Sequence, residues 1–142
     1  MSVFTAGEKA YLQSQTLGRL ATVGRDGQPH VIPLTYVFNE AEDAIDIGGV
    51  DFTNAKKWRD VQHNQHVTLL VDDASQAGAH AVEVRGIAEV HETGGSRINS
   101  RFPQFVEQFI RLRPTYIVSW GVDPEHDHGP ATSFKPNGHR AR

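Results

Sequence analysis

Lys56 and Lys57 stand a short loop after Gly48-Gly49, at the start of a segment that reads as a helix. Free N–H groups at a helix N-terminus carry a partial positive charge, and two ammonium groups beside them would add to it. Paired glycines just before would let a ligand lie against the backbone. Such a set can hold a phosphate, which points to a phosphorylated cofactor rather than a side-chain catalyst. The same residues also read as a solvated basic turn that leads Trp58 into the core, and spacing leaves both readings open.

His30-Val31-Ile32-Pro33 is open in the same way. It is either an edge strand or a backbone lying against a flat ring, with Pro33 removing a ladder donor. Trp58 and Trp120 are expected in the core or at an interface. Among eight histidines the tight cluster is His126-Asp127-His128, close to the C-terminus. His63 and His66 flank a helix end and His80 and His91 lie far apart, so no dedicated metal site is expected. Glu83 and Glu89 do not suggest a catalytic carboxylate pair. No Gly-x-Ser-x-Gly elbow and no Gly-x-Gly-x-x-Gly helix opening occurs.

The elements that must position these residues alternate like strands. Thr5-Ala6-Gly7-Glu8 fits a capping box for a short helix ending near Ser14 to Thr16. Leu20, Thr22 and Gly24 then alternate with Arg19, Ala21 and Val23, and Asp26-Gly27 signals a two-residue hairpin. Val31, Leu34, Tyr36 and Phe38 carry the return strand, and Ala44 to Val50 makes a third. Thr53 is expected to cap a helix to about His63, with Ala55, Trp58 and Val61 buried. Val67 to Val71 reads as a strand, Asp72 to Gly78 as a loop, and Ala79 to His91 as a long strand. Phe102, Phe105, Val106, Phe109 and Ile110 recur at helical spacing, with Pro114 ending that helix before a last strand from Tyr116 to Val122. The sum is six strands in sequential antiparallel order, a small Greek-key or split barrel. Residues 1–122 form the folded domain, and 123–142 read as an unpacked tail.

Composition narrows the function. A chain of 142 residues makes one domain, and a formal charge of −3 argues against nucleic acid or anionic membrane as a partner. The absence of cysteine excludes disulfides, thiolate zinc sites and cysteine nucleophiles. No apolar run approaches the roughly 20 residues of a membrane span, and no signal peptide is visible, so a cytoplasmic protein is expected.

The run from Leu17 to Asp73, with Glu83-Val84-Arg85-Gly86 and Ile117-Val118-Ser119-Trp120-Gly121, resembles the pyridoxamine 5′-phosphate oxidase-like split-barrel superfamily. Lys56-Lys57-Trp58-Arg59-Asp60 with Glu83-Val84-Arg85-Gly86 and Ser119-Trp120-Gly121 is most similar to its actinobacterial group of deazaflavin (coenzyme F-420)-dependent enzymes. The resemblance spans about residues 4 to 122. It implies a mainly β, six-stranded antiparallel split barrel and a homodimer with two cofactor sites between protomers. It further implies that His30, Val31, Ile32, Pro33, Leu34 and Thr35 line the ring through backbone contacts. Gly48, Gly49 and Thr53 would border the ribityl chain. Lys57, with Lys56 or Arg59, would hold the phosphate. Arg85 and Trp120, the latter from the partner chain, are further carry-overs. A hydride would move between the cofactor ring and a small unsaturated substrate.

One departure favours FMN as a rival cofactor. Ser75-Gln76-Ala77-Gly78-Ala79-His80-Ala81 lacks the tryptophan and arginines that relatives carry there. A non-catalytic flavin- or haem-binding carrier is the alternative from another functional class.

Overall fold

The computed structural model describes residues 1–75, 78–123 and 136–141. Its core is one curled antiparallel sheet, ordered β2-β1-β5-β6-β7-β4-β3, with β8 paired to β7. The strands are β1 (Leu17–Val23), β2 (Pro29–Thr35), β3 (Val37–Asn39), β4 (Ala44–Ile47), β5 (His66–Ser75), β6 (Gly78–His91), β7 (Phe109–Trp120) and β8 (Asn137–Arg140). Helices α1 (Ala6–Ser14) and α2 (Lys56–His63) complete the fold, which is the mainly β split barrel expected.

Alternation explains the sheet. Leu20 on β1, Leu69 and Val71 on β5, Val82 and Val84 on β6, and Ile110, Leu112 and Ile117 on β7 all turn inward and are fully buried. Each such side chain contributes roughly 1.5–3 kcal/mol on leaving water. Thr5 and Glu8 make the expected capping box, with Glu8 N–H donating to Thr5 Oγ1 at 3.1 Å and Thr5 N–H to Glu8 Oε1 at 2.9 Å.

Five expectations are corrected. Eight strands are described, not six, because the expected return strand divides at Tyr36 into β2 and β3 and because β8 is added. Residues 102–110 are not a helix. From Phe109 the chain alternates, with Ile110 and Leu112 buried and Arg111 and Arg113 turned outward, and it pairs with β4 and β6. Pro114 stands inside β7, where the β6 register shifts between Arg85 and Gly86, a bulge that tolerates a missing donor. The Asp72 to Gly78 loop is instead a continuation of β5 and β6, which pair as far as Ser75 and Gly78. The 123–142 stretch contains β8, whose register sets Asn137 opposite Ser119 and Arg140 opposite Tyr116. His139 adds an anchor, with Nε2 2.9 Å from Oε1 of the buried Glu8 carboxylate, which also accepts from Ser119 Oγ at 2.7 Å. The Asp26-Gly27 hairpin is wider than two residues, because Val23 pairs with Pro29 and the turn closes from Gly27 N–H to Gly24 C=O.

Among the described residues no helix is long and apolar enough to cross a membrane. His126-Asp127-His128 and Gln76-Ala77 lie outside the described residues.

Candidate functional site

The expected site residues divide into a group that converges and a group that does not. The convergent group lies where α2 packs beside β1 and the edge strand β2. Thr53 does not cap α2: a 3-10 turn at Phe52–Asn54 intervenes, and the N-cap is Ala55, which has no side-chain oxygen. The first-turn N–H groups of α2 therefore have no side-chain acceptor, an arrangement suited to an anion.

Neighbouring lysines in that first turn have different partners. Lys56 Nζ donates to Asp60 Oδ1 at 3.0 Å, one helical turn on, and Thr22 Oγ1 donates to Asp60 Oδ2 at 2.8 Å. Gly24 is tightly fitted here, since a Cβ on it would stand 2.4 Å from Asp60 Oδ1. Burial alone would raise the Asp60 carboxyl. The hydrogen bonds from Thr22 and Lys56, with the positive fields of Lys56 and His30, outweigh it and hold the group below the usual carboxylate range.

Lys57 has no carboxylate partner among the described residues. Its Nζ lies 5.0 Å from the centroid of the buried Phe52 ring, which meets Trp58 edge-on. Half-burial of this ammonium lowers its pKa. Arg59 is exposed and spends one N–H on Asn54 C=O at 2.8 Å, leaving its charge unmatched by any carboxylate among the described residues. Two cations at one helix start, one of them half-buried, thus have no carboxylate partner among the described residues.

β2 carries His30, Val31, Ile32, Pro33, Leu34 and Thr35 along the end of the sheet order, so one long side of it has no strand beside it among the described residues. Pro33 faces Arg19 across β1, and Val31 is 60% exposed. An apolar edge of this kind needs a cover. His30 lies opposite Thr22 and its field reaches Asp60, which joins this strand to the start of α2.

Other expected residues are placed differently. A Cβ on Gly48 would stand 2.8 Å from the Phe105 ring, and one on Gly49 the same distance from the Phe52 ring. Val106 N–H also donates to Gly49 C=O at 2.9 Å. These glycines make room for aromatic rings of the chain itself, so on their Cβ side they offer no path to a ligand. Arg85 is exposed, bonded to Glu83 at 2.5 Å and set over Tyr116. Trp120 is half-buried at the end of β7, opposite Ala81, with three strands between β7 and β2 in the sheet order. His80, in the segment lacking arginines, lies 3.5 Å from Asp73, which also accepts from Tyr11.

Asp60 was not among the expected site residues. The spacing of Lys56 and Asp60 is a signal for it, since residues four apart share a helix face.

Residues 4–121 match the family model described as pyridoxamine 5′-phosphate oxidase. A 5a,11a-dehydrotetracycline/5a,11a-dehydrooxytetracycline reductase of Streptomyces rimosus subsp. rimosus is 36% identical over 129 residues, covering 89% of each chain. Among solved structures, an F420 reductase superposes with a TM-score of 0.62 at 22% identity, covering 80% of this chain and 98% of the other. An FAD binding protein from Mycobacterium smegmatis gives 0.62 at 21% identity, covering 84% and 96%.

Proposed function

Because the chain belongs to the pyridoxamine 5′-phosphate oxidase family, we propose that it is an oxidoreductase that uses a flavin-type cofactor, coenzyme F-420, to reduce a small electron-poor unsaturated molecule. The observation that carries the reading is Lys57: a half-buried ammonium with no carboxylate partner among the described residues, beside an uncapped helix start. A phosphate would supply the missing negative charge, and charge-assisted hydrogen bonds are the strong class. Arg59 would support it from the rim. The open side of β2 would take the flat ring against backbone from His30 to Thr35, with Val31 on its apolar flank.

When bound, such a cofactor supplies a hydride for a polarised double bond, and solvent water supplies the accompanying proton. The work of the chain is to orient the ring and to hold the anionic end at the start of α2. The described residues place no strand beside the outer side of β2, and the reading includes a homodimer in which a second copy covers this edge and its Trp120 closes the cleft. The reductase of Streptomyces rimosus and the F420 reductase lend support to the redox assignment and to the cofactor class respectively.

FMN is the second reading. The segment that would meet a long anionic tail contributes His80, and His80 already faces Asp73. A cofactor bearing a single phosphate fits that economy of cations. Side-by-side titration of the purified chain with F-420 and FMN tests the choice, followed by mixing the reduced complex with an electron-poor acceptor such as a 5a,11a-dehydrotetracycline. Tight F-420 binding and acceptor reduction are expected. Binding of neither cofactor would remove the assignment, and binding without turnover of any acceptor would make the chain a carrier.

A further inference from the structure

We propose that Asp60 sets the anion specificity of this site: its buried carboxylate engages Lys56 and leaves Lys57 as the ammonium that meets a phosphate. The inference rests on the reading above and names the residue that fixes how much positive charge the site presents.

Both Asp60 oxygens are used, one by Lys56 Nζ at 3.0 Å and one by Thr22 Oγ1 at 2.8 Å. The Asp60 side chain is 5% exposed and that of Lys56 42%. If Lys56 swung out to a ligand it would leave a buried carboxylate without its cation and held by Thr22 alone, and breaking such a pair from one side is unfavourable. Lys57, three residues before Asp60, is also within one turn of it, but its Nζ is turned to the Phe52 ring, 5.0 Å from the centroid, and the Asp60 oxygens are taken by Lys56 and Thr22. Lys56 and Asp60 therefore cancel, and the first turn presents Lys57 with Arg59 at its rim. Asp60 touches no ligand in this account and acts through Lys56, as a positioning residue.

Replacing Asp60 by Asn keeps the shape and an acceptor for Thr22 while releasing Lys56. The test titrates FMN and F-420, each against its phosphate-free counterpart (riboflavin or the deazariboflavin), with wild type, Asp60→Asn and the double variant Lys56→Met/Asp60→Asn. Asp60→Asn is expected to bind the phosphorylated ligand about tenfold tighter, with a steeper salt dependence and no change for the phosphate-free one. The double variant is expected to return to wild-type affinity. Unchanged or weaker phosphate-ligand binding by folded Asp60→Asn, or an equal gain for the phosphate-free ligand, would overturn the proposal.

Should Asp60→Asn not fold, the double variant still decides, because it leaves no buried charge alone. Wild-type affinity supports the proposal, and a loss as large as that of Lys57→Ala shows that Lys56 itself holds the phosphate. Wild-type chain that binds neither cofactor sinks the parent reading and this inference with it. Wild-type binding without a response to Asp60→Asn sinks the inference alone.

Discussion

Two basic regions of this molecule look alike in the sequence and differ in what their charges meet. On β7, Arg111 grips Asp46 through two bonds, Nε at 2.8 Å and Nη2 at 3.1 Å, with Glu42 nearby. Arg113 likewise meets Glu89 at 3.1 Å and Glu42 at 3.1 Å. These hydrogen bonds hold both guanidinium groups above their ordinary pKa. At the start of α2, by contrast, Lys57 and Arg59 have no such partners among the described residues, and burial lowers the Lys57 pKa. Positive charge alone does not mark a binding site. The mark is positive charge that the fold leaves unmatched at some cost in desolvation.

That contrast can be broken from either side. The largest effect is expected on β7. Arg111→Met leaves Asp46, whose side chain is 7% exposed, without its cation and with Asn39 as its remaining hydrogen-bond donor, and should lower stability by about 3 kcal/mol in urea denaturation. Cofactor affinity of the folded protein should not change. Lys57→Ala should do the reverse, weakening the phosphorylated cofactor by about 1–3 kcal/mol while leaving the urea midpoint in place or raising it. A midpoint that falls instead would put Lys57 among the structural cations.

His139 is a matched group in the same sense as Arg111. Its loss in His139→Ala removes a partner of the buried Glu8, and about 1–2 kcal/mol of stability should go with it, read as a lower melting temperature. An unchanged melting temperature would mean that β8 contributes nothing to holding α1. Arg59→Ala should cost less than about 1 kcal/mol in affinity, and the loss should vanish at high salt because the group is exposed.

Alkaline pH sharpens the comparison further. The lowered pKa of Lys57 means that the free protein sheds this proton before an ordinary lysine does. A bound phosphate favours the charged form, so affinity should decline as pH rises through the Lys57 pKa of the free chain. Proton uptake on binding, seen by calorimetry in buffers of different ionisation enthalpy, checks the sign. No uptake would separate Lys57 from the phosphate. Lys57→Ala should flatten this alkaline limb, while Arg111→Met should keep it.

Much of the fold was legible because it is written in local pattern. The Thr5/Glu8 capping box and the alternation of β1 and β6 appear as read, and of the readings open for Pro33 the edge strand is the one the sheet order bears out. The segment from Phe102 to Ile110 misled because its aromatic residues recur at helical spacing while the alternation of Ile110 and Leu112 begins only at its end. Phe102 and Phe105 are spaced for stacking, not for a helix, with ring centroids 5.1 Å apart, and Phe105 fills the space that Gly48 leaves. β8 was illegible for a different reason: Asn137-Gly138-His139-Arg140 has no apolar pattern, and backbone pairing with β7 defines it.

Sequence by itself determined the antiparallel, mainly β character, the Thr5/Glu8 cap of α1, and the presence of a basic turn before Trp58. It also determined what chemistry is missing, since no cysteine exists to perform it. Tertiary structure decided which lysine lacks a carboxylate partner among the described residues. That choice depends on Thr22 and Gly24 of the β1 region receiving Asp60, which then takes Lys56 and not Lys57. Adjacent residues of identical chemistry are distinguished only by the faces they present, because a helix turns one toward the sheet and the other toward Phe52.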